Sequence, residues 1–371
     1  ALVLAIWNMA PWAPIAQVAA QAAPPVVPAT AFARTVEQLS EPGGWFDTDN
    51  LISNEASYLH VLGGLRAHQV SGGAYLGVGP DQNFSYIAAI RPAVAYMVDI
   101  RRDNMLQHLL FKAIFTLAED RGEYLALLLG RPAPPKGSAR LGVDGLVAHF
   151  DAVAPEADEA AAIRARVLET VTGFGVPLAE GDQRTIERFH RAFIRAGLDL
   201  QFESFGRAPR SYYPTYRQLL LERDLGGQRG SYLATEAAWR VVRDLQVRDL
   251  LIPVGGNVAG PRATRPAAAD IARRGLTVSA FYTSNVEFYL MADGRFPRWV
   301  ENLRALPRNG RSVIIRSYFG SGFRARHPQA VPGYASTQLL QGIEAFFAEH
   351  DGGGIGGYGD LVTRAVLEPV R

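Results

Sequence analysis

Apolar positions in this chain cluster into short β-rich runs separated by stretches of helical period. The run Ala74-Tyr75-Leu76 ends in Gly77-Val78-Gly79, a helical stretch extends from Pro80 to about Ile90, and a second apolar run closes at Asp99. This order reads as strand, glycine turn, helix, strand. Further β-rich runs at 249–254, 276–282 and 312–319 alternate with helical segments. The alternation predicts an α/β fold: a doubly wound, mostly parallel sheet of Rossmann type. Leu106, Leu109, Leu110, Ala113, Ile114 and Leu117 recur at helical spacing and predict an amphipathic helix packed on the sheet, with Lys112 and Glu119 facing away.

Other segments are predicted with less alternation to guide them. Residues 53–65 read as a helix after the turn Ser40-Glu41-Pro42-Gly43-Gly44 and an acidic, amide-rich stretch holding Asp47, Asp49, Asn50, Asn54 and Glu55. Residues 131–245 are dominated by helical periodicity, as at 160–172 and 184–196, with 198–202 the one short strand, and form a helical insertion in an α/β domain spanning 34–330. Residues 331–371 read as a C-terminal helix at 339–350 and a glycine-rich tail that caps it.

The glycine turn brings chemistry into the pattern. Gly77 and Asp99 are 22 residues apart, near the roughly 20 expected between a ligand-approaching glycine and the carboxylate that takes a ribose hydroxyl. The third glycine of the dinucleotide fingerprint falls instead on Gln82, which disfavours NAD and leaves S-adenosylmethionine the better match. A tight strand-to-helix turn that binds nothing has the same pattern. Other groups at the carboxyl edge of the sheet are Gly255, Gly256 and Asn257, then Ser284, Asn285 and Glu287. Asn285 and Glu287 either face the crevice or cap and charge the start of the next helix.

Composition narrows the classes. With 371 residues and 48% hydrophobic content, the chain can bury a full α/β core. A net charge of +2 and the lack of a dense basic block argue against nucleic acid. Cysteine is absent, which excludes disulfides and thiolate catalysis. No G-x-S-x-G elbow occurs, and the seven histidines form no metal-binding spacing; His108, beside an apolar helix face, reads as a hydrogen-bonded structural residue. The first charged residue is Arg34. Residues 1–33 therefore read as an apolar arm, an export signal or a signal anchor, with Ala20-Gln21-Ala22-Ala23 resembling a signal-peptidase site. Pro11 and Pro14 argue against one clean spanning helix.

The segments LSEPGGWFDTDNLISNE, YLGVGPDQNFSYIAAIRPAVAYMVDIRRDN, LIPVGGNVAGPRA and FYTSNVEFYL resemble an uncharacterised bacterial family whose fold is similar to class I S-adenosylmethionine-dependent methyltransferases. The resemblance spans roughly residues 39–319. It implies that Gly77 and Gly79 face the cofactor and that Asp99 takes the ribose hydroxyls. It also implies that the position of Asn257 is usually acidic, so that a charged group has been lost from the crevice.

Two functions are expected on these grounds. The first is a non-catalytic, membrane-associated accessory or scaffold subunit of an envelope or bioenergetic membrane complex, which residues 1–33 join through a protein partner or through lipid. Its location is the exported, periplasmic face of a membrane, its crevice holds no cofactor, and it binds no nucleic acid. The alternative is a membrane-anchored S-adenosylmethionine-dependent methyltransferase of unknown acceptor. Compartment separates the two, because the methyl donor is cytosolic.

Overall fold

A computed structural model describes residues 30–48, 50–135, 140–204, 210–320 and 326–371. Six strands form one sheet: β1 (Ala74–Gly77), β2 (Val94–Asp99), β3 (Leu251–Gly255), β4 (Val278–Ser284), β5 (Val313–Phe319) and β6 (Ser336–Gly342). Their order is β3-β2-β1-β4-β5-β6, with β6 alone antiparallel to its neighbour. The fold is the expected doubly wound, Rossmann-like α/β sheet. Strands β1 to β3 step outward in one direction, and β4 to β6 step outward in the other. Right-handed crossovers therefore place helices on both faces. Helices Gln82–Ile90, Arg102–Leu117 and Glu236–Val247 pack together, and so do helices Ala31–Leu39, Thr264–Arg273 and Phe296–Arg304.

The parallel strands follow their apolar runs closely because both faces are covered, so little polar sequence interrupts them. Four other expectations are corrected. The predicted 53–65 helix is a 3₁₀ turn at Tyr58–Val61 leading into helix Leu62–Ala67, and the chain before it crosses the top of the sheet. No strand forms at 198–202; Gly197–Asp199 is a 3₁₀ turn, and Gln201 makes an isolated bridge to Thr215. The expected C-terminal helix starts later, at Ile343–Asp351, because Ser336–Gly342 is the sixth strand. Residues 331–371 therefore continue the sheet.

The fourth correction concerns Lys112. Helix Arg102–Leu117 lies against β2 and β3 and is itself covered by helices Arg121–Leu129, Ala157–Gly173, Asp182–Ala196 and Glu236–Val247. Its twelve consecutive residues from Asn104 to Phe115 are all buried. Lys112 does not face solvent: its ammonium donates to the Gln246 carbonyl and to Asp249 (2.7 Å) and lies 4.4 Å from the Phe32 ring centroid. The helical insertion thus completes an outer layer over an inner helix.

Residues 1–29, most of the expected apolar arm, lie outside the described residues. Residues 30–33 belong to the folded body: the Thr30 hydroxyl caps helix Ala31–Leu39, whose Phe32 and Ala33 are buried in the core. Among the described residues, no helix is long and apolar enough to cross a membrane.

Candidate functional site

The strand order reverses between β1 and β4, and open α/β sheets hold ligands outside the carboxyl ends of their strands at such a switch point. A cleft of about 780 Å³ lies there, lined by the tips of β1, β2 and β4, the turn after β3, residues 44–48, 50 and 53–55, and part of the helical insertion. That volume lies within the range of small-molecule sites, roughly 300–1,000 Å³. The segment over the cleft is held by short bonds to the strand tips. Glu41 N–H donates to the Gly255 carbonyl (2.8 Å), Gly44 N–H to that of Ile100 (2.6 Å), and the Arg101 guanidinium to that of Thr48 (2.8 Å).

Of the residues singled out from sequence, Gly79, Asp99, Asn257 and Asn285 line this one cleft. Gly79 has φ +81°, a conformation that glycine adopts without steric cost. Its carbonyl accepts from the ring of buried His108 (2.9 Å), so the structural reading of that histidine holds. Asp99 Oδ1 accepts the Arg101 backbone N–H at 2.9 Å, while Oδ2 has, among the described residues, only a longer 3.4 Å contact with the Arg101 guanidinium. One carboxylate oxygen is left with acceptor capacity toward the cleft. Asn257 Oδ1 accepts from Ala259 N–H, and its backbone N–H donates to Glu41 Oε1 (2.9 Å). A carboxylate therefore does stand at the tip of β3, supplied by Glu41. Asn285 begins helix Val286–Ala292 but makes no side-chain cap, so its amide stays on the cleft wall.

Gly77 and Glu287 are placed elsewhere. A Cβ on Gly77 would come within 2.0 Å of Asn83 Oδ1. Asn83 ties the turn together, accepting from Tyr75 Oη (2.7 Å) and donating to the carbonyls of Val78 and Pro80 (both 2.8 Å). Gly77 is therefore small to admit Asn83, not to admit a ligand. Glu287 is fully buried, 2.9 Å from Arg316 Nε, and also accepts from Thr283 Oγ1 (2.9 Å). It is a core ion pair behind the cleft wall.

Sequence reasoning misses Glu55 as a site residue, because the pattern places it in a helix. It is 1% exposed and reaches the cleft lining. Its carboxylate accepts from Tyr282 Oη (2.5 Å), Ser284 Oγ (2.5 Å) and Gln338 Nε2 (2.7 Å). Ser284 is held at φ +53°, where the β4–β5 register shifts. A non-glycine residue there costs about 1–2 kcal/mol. The cleft also has an aromatic rim: Trp45, 78% exposed, with Tyr212, Tyr213, Phe288 and Tyr289.

A search of curated proteins finds no match to the chain. A family model described as a domain of unknown function, DUF7790, matches residues 51–131 and 184–349. The matched segments contain all six strands, and the stretch between them lies in the helical insertion. With well over half of its length covered by that model, the chain belongs to the DUF7790 family.

Proposed function

We propose that the cleft binds an adenosyl-type ligand and that the protein is an S-adenosylmethionine-dependent methyltransferase. The observation that carries this reading is the convergence of Gly79, at positive φ, and Asp99, with an oxygen to spare, on one cleft at the switch point. The residues suit the ligand: the Val78–Gly79 backbone offers close approach, and the Asp99 carboxylate suits ribose hydroxyls. When bound, the donor supplies an electrophilic methyl group. Methyl transfer to a positioned nucleophile needs little covalent help from the protein, because orientation supplies much of the acceleration. In this reading Asn285 and Ser284 border the space for an acceptor, and Trp45, Tyr212 and Tyr213 screen it from water.

Fluorescence titration with S-adenosylmethionine tests this, with Trp45→Phe identifying the signal and Asp99→Ala identifying the site. The expected outcome is saturable quenching in the micromolar range. Asp99→Ala should weaken binding about 10- to 100-fold, the loss of hydrogen bonds to a charged group. No response at millimolar ligand overturns the reading.

A second reading, the accessory subunit of a membrane complex, is favoured by the uncharged sequence of residues 1–33. In it the cleft is an inherited feature and residues 1–33 bind the complex or its lipid. Co-sedimentation of the full chain with vesicles, lost on deletion of residues 1–29, supports this reading; unchanged partition into the supernatant contradicts it.

A further inference from the structure

We propose that Glu55 forms the floor of a subsite for a cationic group, an ammonium or a sulfonium, carried by a ligand of the cleft. The inference rests on the reading of the cleft as a ligand site and deepens it by naming the charge the ligand must bring. A carboxylate removed from water is normally paired with a cation, because hydrogen bonds alone do not recover its lost hydration. Glu55 receives three neutral donors, from Tyr282, Ser284 and Gln338, and among the described residues no lysine, arginine or histidine pairs with it. Three arginines line the cleft: the Arg101 guanidinium is engaged with Asp99 and the Thr48 carbonyl, Arg210 donates to Tyr212 Oη, and neither these two nor Arg295 is bonded to Glu55.

A second observation points the same way. Gln82 also lines the cleft and is buried, and its Nε2 donates to Tyr282 Oη at 3.1 Å. Its amide oxygen, Oε1, is buried without a hydrogen-bond partner. Tyr282 Oη thus links an orphaned acceptor to an unpaired carboxylate, and the two together leave a deficit of donors and of positive charge on one side of the cleft. The left-handed backbone at Ser284 adds to the case. It carries conformational strain at the residue whose hydroxyl meets Glu55, and strain of this kind persists where the surroundings fix a functional geometry.

The test compares S-adenosylmethionine with S-adenosylhomocysteine, which differ in the methylsulfonium charge, by calorimetry on the full chain, the Glu55→Gln variant and the charge-conserving Glu55→Asp variant. A parallel arm measures saturation transfer to tetramethylammonium against neutral tert-butanol, with and without S-adenosylhomocysteine. If the sulfonium occupies the subsite, wild type and Glu55→Asp prefer the cationic nucleoside by about tenfold or more, and Glu55→Gln binds both alike. If the group is instead the ammonium of a second ligand, the nucleosides bind alike in all three proteins, while tetramethylammonium shows transfer that needs the Glu55 charge even with S-adenosylhomocysteine bound. Failure of both nucleosides to bind, with Glu55-dependent transfer to tetramethylammonium retained, sinks the adenosyl reading and keeps this one. A charge preference that survives in Glu55→Gln, or no preference together with no Glu55-dependent transfer, overturns the proposal.

Discussion

Burying a carboxylate and a guanidinium together strips both of their hydration, and removing one partner leaves the other stranded. Glu287 and Arg316 are in that position, at 0% and 1% side-chain exposure. Glu287→Ala should therefore destabilise the protein by about 3–5 kcal/mol in urea titration, with ligand affinity unchanged, because the side chain is not part of the cleft. A large loss of affinity in folded variant protein would return Glu287 to the site. From sequence alone, Glu287 and Asn285 looked alike, two polar residues after an apolar strand. Two positions along the chain separate a side chain on the cleft wall from one in the core, and Arg316, which holds Glu287, lies on β5. The buried histidines make a second prediction. Burial pushes His60, His108 and His190 down to about 4, below the unfolded value near 6.5. The unfolded chain then binds more protons between those values, so stability falls as pH drops from about 6.5 toward 4. Burial raises Asp81 to about 6; the folded state takes up that proton first and gains stability over about pH 6 to 4. Burial also lowers His327 and raises Glu222, so four groups oppose two and acidification destabilises. His108→Gln should recover about 2 kcal/mol of the loss between pH 6.5 and pH 5. An unchanged pH dependence of the urea midpoint would refute the assignment.

At the scale of elements, the inner helix Arg102–Leu117 shows why periodicity misplaced a charge. Its apolar stripe is real, but a second layer of helices covers the face that the stripe leaves polar, and Lys112 is retained there as a connector. Its ammonium joins the Gln246 carbonyl and Asp249, just before β3, to the Phe32 ring of the first described helix. Lys112→Ala should cost about 2–4 kcal/mol, through lost packing of the stem and unsatisfied partners. Lys112→Met should cost less, because it fills the same volume. Equal stability of all three proteins in denaturant would show that the connection carries no energy. The sixth strand escaped detection for a related reason. Gln338 and Gln341 interrupt its apolar pattern, yet both are buried: Gln338 Nε2 donates to Glu55 and Ser317, and Gln341 pairs with Arg316 and the Arg364 carbonyl. Hydrophobic alternation cannot register a strand whose inward-facing residues are polar and paired across distant sequence.

In the whole molecule, the parallel strands and the glycine turn were legible because each is encoded locally, by an apolar run buried on both faces and a turn that needs small residues. The cleft was half legible. Gly79, Asp99, Asn257 and Asn285 sit at strand tips, where topology places ligands, whereas Glu55, Gln82 and Trp45 enter it from a connecting segment and a helix start whose approach depends on tertiary packing. Gly77 misled because a glycine needed for Asn83 has the same spacing as one needed for a ligand. We propose that these parts form one adenosyl-ligand site. The most direct test of this proposal is a crystal structure of the protein grown with S-adenosylhomocysteine. The nucleoside is expected in the cleft, with its ribose hydroxyls within hydrogen-bonding distance of the Asp99 carboxylate and its chain passing the Val78–Gly79 turn. An empty cleft at saturating ligand, or a nucleoside bound away from Asp99, would contradict it.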